Sequence, residues 1–188
     1  YKEVKERSAV VRFKVKGEEN TYIYAWTTTP WTLPSNVALC VNANETYARF
    51  ECEGRIVIMG DALIEKVLGD KEIANKTTFP GSELVGLRYE PLFDFQPAAL
   101  KGAANAENAW QVVADDYVTM SDGTGVVHQA PAFGEDDARV GREHHIPFLQ
   151  LVDAKGEMTA ETPWAGIFVK KADPMILEQL EKEDKLVS

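Results

Sequence analysis

The sequence is poor in cysteine, in histidine and in positive charge, and each scarcity closes off a class of function. Cys40 and Cys52 are the two cysteines among 188 residues, both in strand-like apolar settings (Val-Ala-Leu-Cys-Val and Arg-Phe-Glu-Cys-Glu). They make no disulfide framework, and no Cys-x-x-Cys spacing offers a zinc site. Of the three histidines, His144 and His145 are adjacent, so on a helix they point to different faces and do not form a metal pair. Lys and Arg number 20 against 30 Asp and Glu, a net charge of −10. A protein that grips DNA or RNA by its backbone needs a basic face, so any nucleic-acid contact here is small and local, or is supported by a partner that carries the positive charge. No apolar run approaches the roughly 20 residues of a membrane span. There is no G-x-S-x-G elbow and no P-loop, and from Gly123 a G-x-G-x-x-G register ends on His128. The chain opens at Tyr1 as an excised fragment would, with no signal peptide ahead of the sequons at Asn44 and Asn75. A reducing, cytoplasmic setting is expected.

What is present is a globular composition, 45% hydrophobic and 27% charged, over a length suited to a single domain spanning 1–188. Residues 9–16 alternate, with Val11, Phe13 and Val15 on one face and Arg12, Lys14 and Lys16 on the other, which predicts a strand with one wet side. Further strands are expected over 22–27, 37–41, 110–119 and 125–130, and a hairpin from 46–52 and 55–59 about Glu53-Gly54. Asp61 is placed to cap a short helix ended by Gly69. Residues 79–100, with Pro80, Pro91 and Pro97, read as an irregular crossing with short strands. A helix over 135–145 starts on Glu135, Asp136 and Asp137, and Asp173-Pro174 opens a last one. Many short strands and a few helices without βαβ regularity predict an α+β, mainly β domain around a central antiparallel barrel, closed or nearly so.

Two stretches stand apart. Between Trp26 and Asn36, five hydroxyl residues and one amide fall within ten positions, stiffened by Pro30 and Pro34 and framed by Trp26 and Trp31. Such a segment either presents hydroxyls and backbone N–H groups to a small polar ligand or caps its own turns. The second runs from Ser121 through Gly123, Gly125, His128, Gln129, Ala130 and Phe133 to Asp137: a glycine-flanked turn, a strand, a loop and an acidic helix start. His128, late in a strand beside a loop, is either a site residue or a satisfied core histidine. Acids in a first helical turn are stabilising without any ligand; the functional alternative is that one of them neutralises a bound ammonium group.

Together, Trp26–Asn36 and Gly123–Asp137 resemble the two signature segments of the editing domain (connective peptide 1) inserted in class I aminoacyl-tRNA synthetases, in its isoleucyl form. Gly86-Leu87-Arg88-Tyr89-Glu90-Pro91-Leu92 is similar to a third family segment, and the resemblance covers essentially the whole chain. The leucyl and valyl siblings usually carry Arg after the paired Thr and a residue other than His at position 128. Here Thr29 and His128 point to the isoleucyl branch. The wording around Ala132-Phe133-Gly134-Glu135 is similar to the eukaryotic-type branch, which also occurs in some bacteria. Neither an H-I-G-H nor a K-M-S-K-S segment is present, so amino-acid activation is not expected of this chain.

The resemblance implies hydrolysis of valine esterified to the end of tRNA(Ile). It assigns Thr28, His128 and Asp137 as catalytic, and Trp26, Thr27, Thr29, Trp31, Thr32, Asn36, Gly125, Gln129, Ala130 and Phe133 as substrate-binding. Asp137 takes the ammonium by motif register, although spacing alone leaves Asp136 open. His128, Trp31 and Thr32 are candidates for the wall of the side-chain pocket, and Thr27, Thr28 and Thr29 for the adenosine end. Thr28 and His128 would position the attacking water with help from the neighbouring ribose hydroxyl. The implied partners are the 3′ acceptor end of tRNA(Ile) carrying valine, valyl-adenylate and the remainder of the synthetase. No membrane contact, metal or cofactor is expected, ATP being used elsewhere in the parent enzyme, and the isolated domain is expected to be monomeric. The alternative is a module that holds an aminoacyl-adenosine end without cleaving it.

Overall fold

In a computed structural model that describes residues 8–188, β1 (Ala9–Lys14) and β2 (Thr21–Thr27) pair antiparallel, Ala9 opposite Thr27. β4 (Thr46–Cys52) and β5 (Arg55–Gly60) form the expected hairpin. Its turn holds Glu53 and Gly54 at φ of 50° and 78°, the left-handed pair that a two-residue hairpin turn needs. β3 (Ala38–Val41), β7 (Gln111–Ala114) and β8 (Val127–Gln129) are short, and β6 (Ile73–Pro80) lies along β4. The sheet runs β6-β4-β5-β2-β8-β3-β7, with β1 on β2.

The sheet curls into a ring. Tyr89 bridges Val15 just beyond β1, and its neighbour Arg88 bridges Gln111 on β7, so residues 86–90 link β1 to β7 and close a ring of β1, β2, β8, β3 and β7, with β5, β4 and β6 extending from β2. The Tyr89 N–H donates to the Trp110 carbonyl (3.0 Å) and the Glu90 N–H to the Lys14 carbonyl (2.8 Å). The α+β, mainly β architecture is the one expected. Its ladder is mixed, since β2–β5, β2–β8 and β3–β7 run parallel where an antiparallel barrel was foreseen. Val11, Phe13, Ile23, Leu39, Val41 and Val126 fill the main core, the apolar face that period-two alternation buries.

Among the described residues, four α-helices accompany the sheet: α1 (Ile64–Leu68), α2 (Gln96–Leu100), α3 (Glu135–Glu143) and α4 (Val169–Lys182). Several local expectations are corrected. The wet face of β1 is covered at Arg12, whose guanidinium donates to Tyr24 Oη (3.2 Å) and to the carbonyls of Asp184 (3.1 Å) and Leu186 (3.2 Å). The C-terminal residues lie along β1 and shelter it, Val187 N–H donating to the Val10 carbonyl (2.8 Å). Asp61 makes no capping bond; it opens a 3-10 turn (Asp61–Leu63) ahead of α1 and pairs with Lys76 at 2.9 Å. The predicted strands over 110–119 and 125–130 shorten to β7 and β8. α4 begins at Val169, ahead of Asp173, and carries Pro174 inside it. β6 was not foreseen: it is a largely exposed edge strand, so its sequence carries no apolar alternation. Among the described residues, no helix is long and apolar enough to cross a membrane, and no group of three or more His, Cys, Asp or Glu could hold a metal ion.

Candidate active site

The first loop leaves the end of β2. Thr27 Oγ1 accepts the Thr29 N–H (3.1 Å), turning the chain into a 3-10 segment over Pro30–Ser35. Pro30 suits the first position of that turn, where no N–H is needed. Thr32 Oγ1 donates back to the Thr29 carbonyl (2.8 Å), and the Thr29 and Thr32 hydroxyls are 3.1 Å apart. The loop is clamped from outside. Gln96, fully buried, donates through Nε2 to the carbonyls of Leu33 (3.2 Å) and Pro34 (2.8 Å), while its Oε1 accepts the Phe93 N–H (3.1 Å). Trp110 Nε1 donates to the Asn36 carbonyl (3.2 Å), and Ser35 Oγ accepts the Leu151 N–H (3.0 Å).

The second loop leaves β8. β3 pins this strand, Leu39 opposite His128, and Trp26 pairs in parallel with Val127. Beyond Gln129 the chain makes a 3-10 turn over Pro131–Phe133 and enters α3. The Ala130 N–H donates to Asp137 Oδ2 (2.9 Å), which folds the helix start back onto the strand end.

The two loops share one cavity of about 270 Å³, lined by Trp26, Thr27, Thr28, Thr29, Thr32, Val127, His128, Ala130, Phe133 and Asp137. Its charge is concentrated in Asp137. Burial pushes that carboxyl above the usual carboxylate range, with a smaller push from Asp136 and an opposing pull from the Ala130 N–H. The nearby cation is engaged elsewhere: Arg139 grips both oxygens of Asp115 at 2.7 and 2.9 Å. Asp136 is exposed and lies 3.5 Å from Arg139. Of the two carboxylates that spacing could not separate, Asp137 is therefore the one in the cavity, and among the described residues it has no ion-pair partner.

His128 is buried, and burial pulls its pKa down to about 3, so the ring is neutral at physiological pH. Its Nε2 is 2.7 Å from Thr32 Oγ1, and its Nδ1 accepts from Asn36 Nδ2 (3.0 Å). With both nitrogens engaged, neither is left to draw a proton from water, and the expectation that His128 orients the nucleophile finds no free atom. Thr28 differs: it is half-buried, and no described residue hydrogen-bonds its hydroxyl.

Four of the expected residues lie outside the cavity. Trp31 backs the wall from behind, its ring edge-on to Phe133 with centroids 5.2 Å apart. Asn36 reaches the site through His128. Gly125, at φ 78°, faces Met120 rather than the cavity, and its carbonyl accepts from the Tyr47 hydroxyl. Gln129 alternates to the opposite face of β8 from His128 and bonds the Tyr117 hydroxyl. Sequence reasoning missed Val127 as a lining residue, Gln96 as a clamp and Tyr89 as the partner of Asn36. The third motif around Tyr89 was the available signal for the last of these; the other two carried none.

No protein-family model matches the chain. An isoleucine–tRNA ligase of Clostridium novyi (strain NT) is 51% identical over 188 residues, covering 99% of this chain and 17% of that protein. One from Clostridium acetobutylicum is 48% identical over 187 residues (99% and 17%), and one from Pyrococcus furiosus 41% over 194 residues (100% and 18%). The chain thus spans less than a fifth of the length of these curated relatives. Among solved structures, GlLeuRS-CP1 superposes with a TM-score of 0.76 at 13% identity, covering 97% of this chain and 98% of that one. The editing domain of the P. falciparum cytosolic leucyl-tRNA synthetase gives 0.67 at 12% identity, with 95% and 97% covered. At such identities the likeness is one of fold.

Proposed function

The chain belongs to the isoleucine–tRNA ligase family, and from that premise we propose that it is the editing domain of such a synthetase, a single inserted unit that hydrolyses the ester of valine mischarged on tRNA(Ile). The need follows from magnitudes. One methylene in an apolar pocket discriminates by only roughly 1–3 kcal/mol, a figure for which isoleucyl-tRNA synthetase is itself a standard case, so a second site must remove the smaller error.

The observation that carries the proposal is Asp137, a carboxyl whose pKa burial raises, lining a small cavity opposite a loop of threonines and without an ion-pair partner among the described residues. A free α-ammonium group supplies that missing cation. Its attraction to Asp137 selects aminoacyl esters over other acyl groups. Thr27 and Thr29 face the adenosine end, with Trp26 beside them. Thr32 and His128, backed by Phe133 and Trp31, form the wall that stops a longer side chain. The Thr28 hydroxyl is the free group that can hold the attacking water, assisted by the ribose hydroxyl next to the ester. Ester hydrolysis asks for positioning and for stabilisation of the developing oxyanion more than for a strong base. The 3′ end of tRNA, valyl-adenylate and the rest of the synthetase are the partners in this reading, and the deficit of positive charge leaves the tRNA body to the rest of the enzyme. No cofactor is required.

The test is release of valine from mischarged tRNA(Ile), comparing the native sequence with Asp137→Ala. Loss of release in the variant is expected. Equal rates would remove Asp137 from its role, and tight binding without release by the native protein would leave a holding module instead. His128→Ala should widen the pocket and begin to deacylate Ile-tRNA(Ile); unchanged discrimination would remove His128 from the wall.

A further inference from the structure

Behind the wall runs a buried chain of hydrogen bonds that begins at a residue outside the cavity lining. Tyr89, on the segment that closes the ring, donates through its hydroxyl to Asn36 Oδ1 at 2.6 Å. Asn36 Nδ2 donates to the Ala38 carbonyl at 3.0 Å and to His128 Nδ1 at 3.0 Å. His128 Nε2 lies 2.7 Å from Thr32 Oγ1, whose own proton goes to the Thr29 carbonyl at 2.8 Å. Tyr89 and Asn36 are buried away from the cavity, so water does not offer them substitute partners, and His128 and Thr32, also buried, meet it only at the cavity wall.

The directions along this chain follow from donor and acceptor counting. Reversing the Asn36 amide would set its oxygen against the Ala38 carbonyl and its nitrogen against the Tyr89 hydroxyl. Two oxygens would face each other in a dry interior, so the amide nitrogen points to Ala38 and to His128. A donor at Nδ1 requires that Nδ1 be unprotonated, and a neutral ring then carries its proton on Nε2. That proton occupies one lone pair of Thr32 Oγ1 while the threonine's own hydrogen is committed to Thr29, which fixes the χ1 of Thr32. The far end is equally constrained. Tyr89 packs edge-on to Phe13 with centroids 5.3 Å apart, and its backbone is held between Trp110 and Val15. Burial also keeps its phenol protonated, so it remains a donor.

We propose that Tyr89 is a positioning residue for the size limit of the site: by holding Asn36 it sets the Nε2–H tautomer of His128 and through it the orientation of Thr32 in the wall. This rests on the editing reading above for its substrate, but the tautomer claim stands by itself. Tyr89→Phe removes one oxygen, keeps the ring on Phe13 and leaves Asn36 Oδ1 buried without a donor, so that the Ala38 carbonyl alone opposes reversal of the amide.

The experiment uses the whole chain labelled with ¹⁵N-histidine, in which three ring systems are to be assigned. Wild-type His128 should show an unprotonated Nδ1 and a protonated Nε2. In Tyr89→Phe the two nitrogens should move toward a tautomer mixture, and the ratio of Val-tRNA(Ile) to Ile-tRNA(Ile) deacylation should fall about tenfold, through faster loss of isoleucine more than slower loss of valine. Asn36→Asp, which puts an acceptor at Nδ1, should move the proton to Nδ1 and serves should Tyr89→Phe fold poorly. A wild-type Nδ1–H tautomer, an unchanged ring in Asn36→Asp, or a Tyr89→Phe protein with native tautomer and native discrimination each overturns the proposal. Absence of deacylation of either ester by the wild type, with the tautomers as stated, would instead overturn the editing reading.

Discussion

Trp26 and Val127 face each other in a parallel pairing, although they lie on strands a hundred residues apart. Parallel strands end at the same edge of a sheet. The chain after Trp26 and the chain after Val127 must therefore emerge side by side, and the threonine loop and the acidic helix start meet because of it. Gly123 completes the arrangement: at φ 71°, a Cβ built on it would come within 2.6 to 2.9 Å of the Trp26 ring.

Gly123→Ala should consequently strain both backbone and ring. A loss of about 1–3 kcal/mol is expected from overpacking and the left-handed conformation together, read as a lower urea midpoint with unchanged m-value. An unaltered midpoint would show that the Trp26 ring can yield without cost.

His128 should make the fold sensitive to acid. Its pKa is lowered to about 3 in the folded chain from an ordinary value near 6.5. The unfolded chain therefore takes up a proton first. The stability of the neutral ring is fully present above pH 6.5 and is lost as pH falls from there toward 3, at up to about 1.4 kcal/mol per pH unit. His128→Gln should flatten that part of the stability profile relative to wild type. Parallel profiles for the two proteins would contradict the burial argument.

Asp137 should behave in the opposite sense. Its folded pKa is raised, so ionisation is harder in the native state, and the carboxylate costs stability at every pH above that value. Asp137→Asn keeps an acceptor for the Ala130 N–H and removes the charge. The melting temperature at pH 7 should hold or rise while valine release falls by about 10- to 100-fold, the worth of one charged hydrogen bond. A lower melting temperature with native activity would mark the residue as structural.

Gln96 should matter to the loop although it never touches the cavity. Gln96→Ala leaves the Pro34 carbonyl and the Phe93 N–H without their partner, while the Leu33 carbonyl keeps only the Asn36 N–H. A loss of about 2–3 kcal/mol is expected in chemical denaturation, together with faster amide exchange across residues 30–36. Wild-type exchange in that segment would show that Trp110 and Leu151 hold it without help.

How much could be seen beforehand depended on range. The strand pairs about Glu53-Gly54, the helix after Gly134 and the two site segments were legible because period, turn chemistry and motif order are local properties. β6 was not, because an exposed edge strand buries too little to show a period, and Asp173-Pro174 imitated a helix start that lies further back at Val169. Arg12 was taken for a solvated face because nothing near it announces that the chain's last residues return to cover β1.

By itself the sequence determined which chemical groups are available: a threonine loop, one histidine at a strand end and consecutive acids at a helix start. Tertiary structure alone decided which of them meet. Successive residues on a helix point about 100° apart, so only the docking of α3 against the Pro131–Phe133 turn and the Ala130 N–H could send Asp137 inward and leave Asp136 in solvent. The partners of His128 lie 92 and 96 residues away in the chain, so its protonation and its role depend on contacts that no local pattern encodes.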